Sequence, residues 1–235
     1  MLTSNILDGL IVASRISGSE HDLACLIYEK KPLTVKAFLK RCLYRLRSGI
    51  SALSYEGIIS GPGSGRVLAV DNINSDRVKE QLDDTAPDLI VVVGTRKLNR
   101  EIFTRCRLGA LNLHTGILPY YRGADSEFWA LYNGERDKIG VSVHFIEEEL
   151  DTGDVIITEK QVVTERDDHR SLRMKNLMLG AEVMVRAIDL IGRGDHVPVP
   201  QDEKLARTYY SASPEKVAEY ERKRNEACAK ELTEG

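Results

Sequence analysis

A chain of 235 residues with a formal net charge of -3 can build one α/β domain with a tail, or two small domains. That charge gives no sign of a polyanion-binding surface. No apolar run approaches the ~20 residues of a membrane span, and no charged start followed by an apolar stretch marks a signal peptide, so the cytoplasm is the expected compartment. Cys25, Cys42, Cys106 and Cys228 are scattered without a C-x-x-C pair, which disfavours a metal cluster or a disulfide framework.

In chain order, Asn5 to Ile16 carries Ile6, Leu7, Leu10, Ile11 and Ile16 at helical spacing, with only Met1-Leu2-Thr3 before it. Strands are typically ~5–6 residues long, so the first strand is expected to be truncated, or the natural start lies upstream of Met1. Leu23 to Tyr28 suits a short buried strand. Thr34 to Leu46 suits a helix, made basic by Lys36, Lys40, Arg41, Arg45 and Arg47 and read as a solvated cationic face. Tyr55 to Arg66 is a Gly/Ser-rich loop. Its Gly61, Gly63 and Gly65 are followed by a strand rather than a helix, which excludes a dinucleotide fingerprint.

Val67 to Val70 is a short strand, and Ser75 caps a helix over Asp76 to Asp84. Asp88 to Val93 is apolar on both faces, as a central parallel strand requires. A loop at Gly94 to Leu98, a short helix to Arg105 and a strand at Ala110 to His114 follow. Asp125 caps a helix that ends at Asn133-Gly134. Strands at Val141 to Glu147 and Val155 to Val163 flank a turn at Asp151 to Asp154. Next come a long helix at Ser171 to Ile191, a proline-bearing linker at Gly194 to Gln201, and an amphipathic helix from Pro214. This alternation predicts an α/β fold, a Rossmann-like, doubly wound, mostly parallel sheet over residues 1–193. Residues 194–235 form a linker and a C-terminal helix packed on it.

Alternation along Leu111-Asn112-Leu113-His114 puts Asn112 and His114 on one face, at the carboxyl edge where open α/β sheets bind ligands. An amide beside an imidazole there can donate to a developing oxyanion. The pair alone also suits ordinary loop capping, and its surroundings decide between the two.

Those surroundings are Asn112-Leu-His-Thr-Gly-Ile-Leu-Pro-Tyr-Tyr-Arg-Gly-Ala124, then Gly140-Val-Ser-Val-His-Phe145, then Glu149-Leu-Asp-Thr-Gly-Asp154. Together they resemble the folate-dependent formyltransferase family, closely over residues 90–165 and loosely over most of the chain. The resemblance implies transfer of a formyl group from 10-formyltetrahydrofolate to a primary amine. Asn112, His114 and Asp151 fall on the catalytic triplet, and Ser142 on a supporting hydroxyl. Asn112 and protonated His114 would stabilise the oxyanion, while Asp151 would hold His114 or a water and help carry the proton. No metal or nucleophilic side chain is required. The implied folate pocket takes Arg96, Lys97 and Leu98 from one loop, and Glu147, Glu148, Glu149, Leu150 and Thr152 from another. His144 shares the face of Ser142 and is read equally as a border of the site or a core histidine. His21, His169 and His196 fall in loop-like segments without a catalytic role.

The acceptor implied is a small-molecule amine, with neither a membrane nor a nucleic acid as partner and with a homodimer allowed. Family members acting on initiator Met-tRNA are similar through Tyr121-Arg122-Gly123-Ala124 but carry a further C-terminal domain. Those acting on glycinamide ribonucleotide use a Gly-Ser-Asn turn for phosphate, of which Ser4-Asn5 is a partial echo. The mixture, with Tyr209-Tyr210 near the end, most resembles bacterial enzymes that formylate amino sugars on nucleotides. Glycinamide ribonucleotide or another small amine as acceptor, hydrolysis of the folate, and a degenerate folate-binding remnant are the alternatives.

Overall fold

The structure, a computed structural model, describes residues 1–30 and 66–234. The expected helix at Thr34 to Leu46 and nearly all of the glycine-rich loop lie outside the described residues. Nine strands are described: β1 (Leu2–Thr3), β2 (Cys25–Glu29), β3 (Arg66–Val70), β4 (Ile90–Val93), β5 (Ala110–His114), β6 (Arg122–Gly123), β7 (Gly140–Phe145), β8 (Val155–Lys160) and β9 (Thr208–Tyr209). The helices are α1 (Ile6–Ser17), α2 (Asp76–Thr85), α3 (Arg100–Phe103), α4 (Ser126–Tyr132), α5 (His169–Arg193) and α6 (Pro214–Glu234), with a 3-10 turn at Arg136–Lys138.

Seven of the strands make one sheet in the order β3-β2-β1-β4-β5-β7-β8, and β6 pairs with β9 separately. β1 to β5 are parallel where they pair; β7 is antiparallel to both β5 and β8, so it alone runs backwards in this sheet. This is the mostly parallel α/β arrangement expected from the alternating pattern.

Apolar residues on both sides of β4 explain the two layers. Ile90 and Val92 join a cluster with Leu2, Ile27, Val78, Leu82 and Phe103, under α2 and α3. Val91 and Val93 join a second cluster with Leu10, Leu111, Val143, Leu177 and Met184, under α1 and α5. A third cluster gathers Tyr121, Leu131, Ile139 and Leu172, with Trp129, Tyr209 and Tyr220 packed against it. Tyr220 of α6 lies 5.7 Å from the Phe128 ring, which seats the terminal helix beside α4.

The truncated first strand is indeed only two residues long, yet the sheet is not interrupted there. Leu2 sits opposite Ile27 on one side and Val92 on the other. α5 begins at His169 rather than Ser171, because Asp168 accepts from the backbone amides of Arg170 and Ser171 while the Ser171 hydroxyl accepts from the Asp168 amide. The segment read as a linker is tied down as well, since Val199 and Val155 exchange two backbone hydrogen bonds of 2.9 Å.

Leu2 is 0 % exposed at the centre of the sheet. Leu2→Ala should therefore lower the unfolding free energy by about 2–5 kcal/mol in urea denaturation, although the residue stands at the edge of the chain. A loss below about 0.5 kcal/mol, the range of ordinary surface changes, would mean that β1 contributes no core.

Candidate active site

The β5–β7 pairing places Asn112 opposite His144 and His114 opposite Ser142. Leu111, Leu113, Val141 and Val143 take the α1–α5 face. Period-two alternation therefore turns all four polar side chains to the other face. There they are met by the loop after β5 and by the turn after β7, which carries Asp151.

Asp151 is 6 % exposed and holds a left-handed backbone, with φ of 55°. Its Oδ2 accepts from the Gly123 amide at 2.8 Å and faces Nδ1 of His114 at 3.6 Å. Its Oδ1 accepts from Asn112 Nδ2 at 3.4 Å and lies 3.5 Å from His144 Nε2. Burial by itself would raise the carboxyl pKa. The charge of His114, the hydrogen bond and charge of His144 and the Gly123 amide outweigh it, and hold Asp151 well below the usual carboxylate range.

The carbonyl partners decide which imidazole nitrogens carry hydrogen. Nε2 of His114 lies 2.6 Å from the Tyr121 carbonyl, so it is a donor there and leaves Nδ1 toward Asp151. Nδ1 of His144 lies 2.7 Å from the Phe145 carbonyl. Its Nε2 lies 3.1 Å from Asn112 Nδ2 and 3.5 Å from the Asp151 carboxylate, between the two. Ser142 is fully buried; its hydroxyl donates to Gly116 O at 2.9 Å and accepts from the Leu118 amide at 3.1 Å. It holds the loop beside His114 and does not line the cleft.

Two glycines permit the approach. Gly123 has φ of 91°, and a Cβ there would lie 2.1 Å from the Tyr209 carbonyl oxygen. A Cβ on Gly153 would lie 2.0 Å from the Phe145 carbonyl oxygen. Both positions require the missing side chain.

Asn112, His114, His144 and Asp151 open into a cleft of about 580 Å³. One part of its wall comes from Val92 to Leu98 and from Ile146, Glu147, Glu149 and Leu150. Most of the residues expected to hold folate are there, namely Arg96, Lys97, Leu98, Glu147, Glu149 and Leu150. Glu148 and Thr152 are not. Glu148 turns outward to Arg100 at 2.6 Å, and the Thr152 hydroxyl donates within its own turn to Glu149 O at 3.1 Å. Arg96 lines the wall with its guanidinium on buried Glu29, at 2.8 Å, and Glu29 also accepts from the Ser4 hydroxyl at 2.8 Å.

Another part of the wall was not anticipated from the residues: Asp8 of α1, Arg173 of α5, Asp125, and Thr208 to Ser211. Arg173 bridges Asp8 at 3.0 Å and Glu127 at 3.6 Å. Burial pushes Glu127 up to about 7. His144 belongs to the cluster, opposite Asn112 across the strand pair; the signal in the sequence was the face it shares with Ser142. Of the other histidines, His21 pairs with Asp189 at 2.7 Å and His169 opens α5, both away from the cleft. Among the described residues no group of three His, Cys, Asp or Glu could hold a metal ion, and no helix is long and apolar enough to cross a membrane.

Comparison with known proteins matches residues 64–188 to the formyl transferase family model. The chain is 35 % identical over 140 residues to methionyl-tRNA formyltransferase from Chlorobium chlorochromatii, an alignment covering 60 % of this chain and 44 % of that protein. It is 36 % identical over 141 residues to the enzyme of the same name from Fusobacterium nucleatum, covering 60 % and 45 %. The aligned chain thus spans less than half the length of these curated relatives. Among solved structures, glycinamide ribonucleotide transformylase 1 from Symbiobacterium toebii superposes with a TM-score of 0.61 at 22 % identity, covering 86 % of this chain and 92 % of that one. The formyltransferase PseJ from Anoxybacillus kamchatkensis, in complex with UDP-4,6-dideoxy-4-formamido-L-AltNAc and tetrahydrofolate, superposes with a TM-score of 0.54 at 21 % identity, covering 79 % and 85 %. At those identities the two superpositions establish the shared fold.

The depressed carboxyl of Asp151 has a consequence for stability. A carboxylate whose folded pKa lies below its unfolded value of ~3.9 stabilises the fold above that value and loses the contribution as pH falls further. Asp151→Asn should flatten the acid limb of stability against pH below about 4, measured by urea unfolding at several pH values. An acid limb as steep as that of the wild type would remove Asp151 as its source.

Proposed function

This chain belongs to the formyl transferase family, and from that premise we propose that it transfers a formyl group from 10-formyltetrahydrofolate to a primary amine. The observation that carries the reading is the convergence of Asn112, His114 and Asp151 on the cleft, with both Asn112 and His114 within 3.6 Å of the Asp151 carboxylate. The described walls suit the donor. Val92, Leu98, Ile146 and Leu150 offer apolar surface between polar loop segments, and about 580 Å³ is within the roughly 300–1,000 Å³ usual for ligand clefts.

10-Formyltetrahydrofolate supplies an activated formyl carbon. Asn112, beside His144, donates to the formyl oxygen as negative charge develops on it, while His114, held by the Tyr121 carbonyl, presents Nδ1 to the amine. Asp151 is held too far below the usual carboxylate range to be a good proton acceptor near neutral pH. It acts as a fixed negative charge opposite Nδ1 of His114, so that a proton on that nitrogen has an electrostatic partner. The carbonyl contacts leave Nδ1 of His114 as the nitrogen that takes a proton from the amine as the amine nitrogen bonds to the formyl carbon, and that returns it to the folate nitrogen as the bond between that nitrogen and the formyl carbon breaks. Ser142 supports the loop from below. Placing donor and amine side by side supplies much of the remaining acceleration.

For the acceptor, an amino sugar carried on a nucleotide is the favoured class. Asp8 and Asp125 with Arg173 offer hydrogen-bonding partners for a hydroxyl-rich ring, and Tyr210, 82 % exposed beside them, offers a stacking face. Glycinamide ribonucleotide is less well served. The Ser4 hydroxyl that would meet its phosphate already donates to Glu29, and the Arg96 guanidinium nearby is taken up by the same carboxylate. A second reading, Met-tRNA as acceptor, is favoured by the identity of 35 % to a methionyl-tRNA formyltransferase. The non-enzymatic alternative loses its premise, since β1 pairs on both sides.

Purified protein with 10-formyltetrahydrofolate should release tetrahydrofolate only when an amine is added, and a nucleotide-linked amino sugar should support it best. Release without any amine would mean hydrolysis, and release with Met-tRNA alone would overturn the sugar. Asn112→Ala, His114→Ala and Asp151→Ala should each lower kcat ~100-fold or more with the fold retained by circular dichroism. Normal turnover in any one excludes that residue from the chemistry.

A further inference from the structure

The segment from Val199 to Ala212 lies beyond residues 64–188, where the family match ends, and starts inside the linker read at Gly194 to Gln201. In the structure it is a strap laid across the back of the Asp151 turn. We infer that this strap is part of the catalytic unit, and that Gln201, gripped by Arg122, is the positioning residue that holds Asp151 in place. The inference rests on the formyl-transfer reading for its kinetic consequence and on geometry alone for its structural one.

Gln201 faces two ways. Its Nε2 donates to the backbone carbonyls of Asp151 and Gly153, each at 2.8 Å. Its Oε1 accepts from Arg122 Nε at 3.0 Å and from Arg122 Nη2 at 2.9 Å. The amide therefore has one orientation, since the reverse would set its NH₂ against a guanidinium and its oxygen against two carbonyls.

Arg122 is 5 % exposed, so its charge must be partnered. Glu203 meets it with two hydrogen bonds, to Nη1 at 3.0 Å and Nη2 at 2.7 Å. Arg122 thus joins two strap residues through four contacts of its planar fork, a geometry that lysine cannot copy. The residue after Arg122 is Gly123, whose amide donates to the Asp151 side chain. One side of the Asp151 turn is held through its carboxylate and the other through its backbone, and both holds lead back to Arg122-Gly123.

The rest of the strap fixes that dipeptide in turn. The Arg122 amide donates to Arg207 O and the Ala124 amide to Tyr209 O, each at 2.9 Å, as β6 pairs with β9. Trp129 Nε1 donates to Tyr210 O at 2.9 Å, and the Ala212 amide donates to Asp125 at 3.1 Å. The left-handed backbone of Asp151 is an uncommon conformation for a residue with a side chain, and it persists only where neighbours hold it. Gln201 provides that hold.

Gln201→Glu tests this most sharply. It keeps the shape and strengthens the contact to Arg122, but it replaces the two donors facing the turn with a carboxylate. Gln201→Met removes the donors without charge. In both, amide hydrogen exchange should accelerate in residues 147–154 and stay unchanged in β4 and α5. The kcat for formyl transfer should fall ~10–100-fold with the amine KM within about twofold, because misplacement by ~1 Å is enough for such a loss. Exchange at the wild-type rate in the turn overturns the positioning role, and so does acceleration spread through the whole sheet in both variants. If the wild-type protein transfers no formyl group, the functional reading fails, and the exchange pattern still decides whether Gln201 holds the turn.

Discussion

A carboxylate taken out of water has to be met by charge or by hydrogen-bond donors, and the region around Asp151 is organised by that requirement. The side chain is 6 % exposed, and its two oxygens are surrounded by two imidazoles, a carboxamide and a backbone amide. These come from three separate parts of the chain: β5, β7 and the loop that ends in β6. The turn carrying Asp151 must therefore lie tightly against all three. That closeness accounts for Gly153 against the Phe145 carbonyl, while the β6–β9 pairing sets Gly123 against the Tyr209 carbonyl; at neither has a Cβ room.

The same requirement reaches outward through Arg122. Its guanidinium is buried while its partner Glu203 is 70 % exposed, so the pair spans from the interior to solvent and carries Gln201 between. A buried donor fork of this kind is costly to leave incomplete, which ties the fate of the strap to that of the turn. The catalytic unit on this reading extends past α5 to the strap that carries Gln201.

Polarity in the cleft is uneven in a way that bears on its ligands. The wall formed by the loop after β4 and the turn after β7 mixes apolar side chains with polar loop segments, as a flat ring system needs. The wall formed by α1, α5 and the strap is acidic at Asp8 and Asp125, with Arg173 as a basic counterpart. Both walls converge on Asn112 and His114.

Some of this was legible in the residues alone, because it depends on short-range periodicity. Leu, Ile and Val in unbroken succession marked β4 as central. Alternation put Asn112 with His114, and Ser142 with His144, on common faces before any pairing was known. The Asp151 turn was placed by motif and order, and the role expected of it came from the family resemblance. Whether His144 belonged to the site was decided by the β5–β7 register, which sets it opposite Asn112. Glu148 and Thr152 do not line the cleft, a direction that could not be read from the residues because a turn has no period. Gln201 and Arg122, 79 positions apart, meet only because the chain returns after α5 to lie beside β6. A contact of that kind is created by the path of the backbone through space, and no local pattern of residue types encodes it.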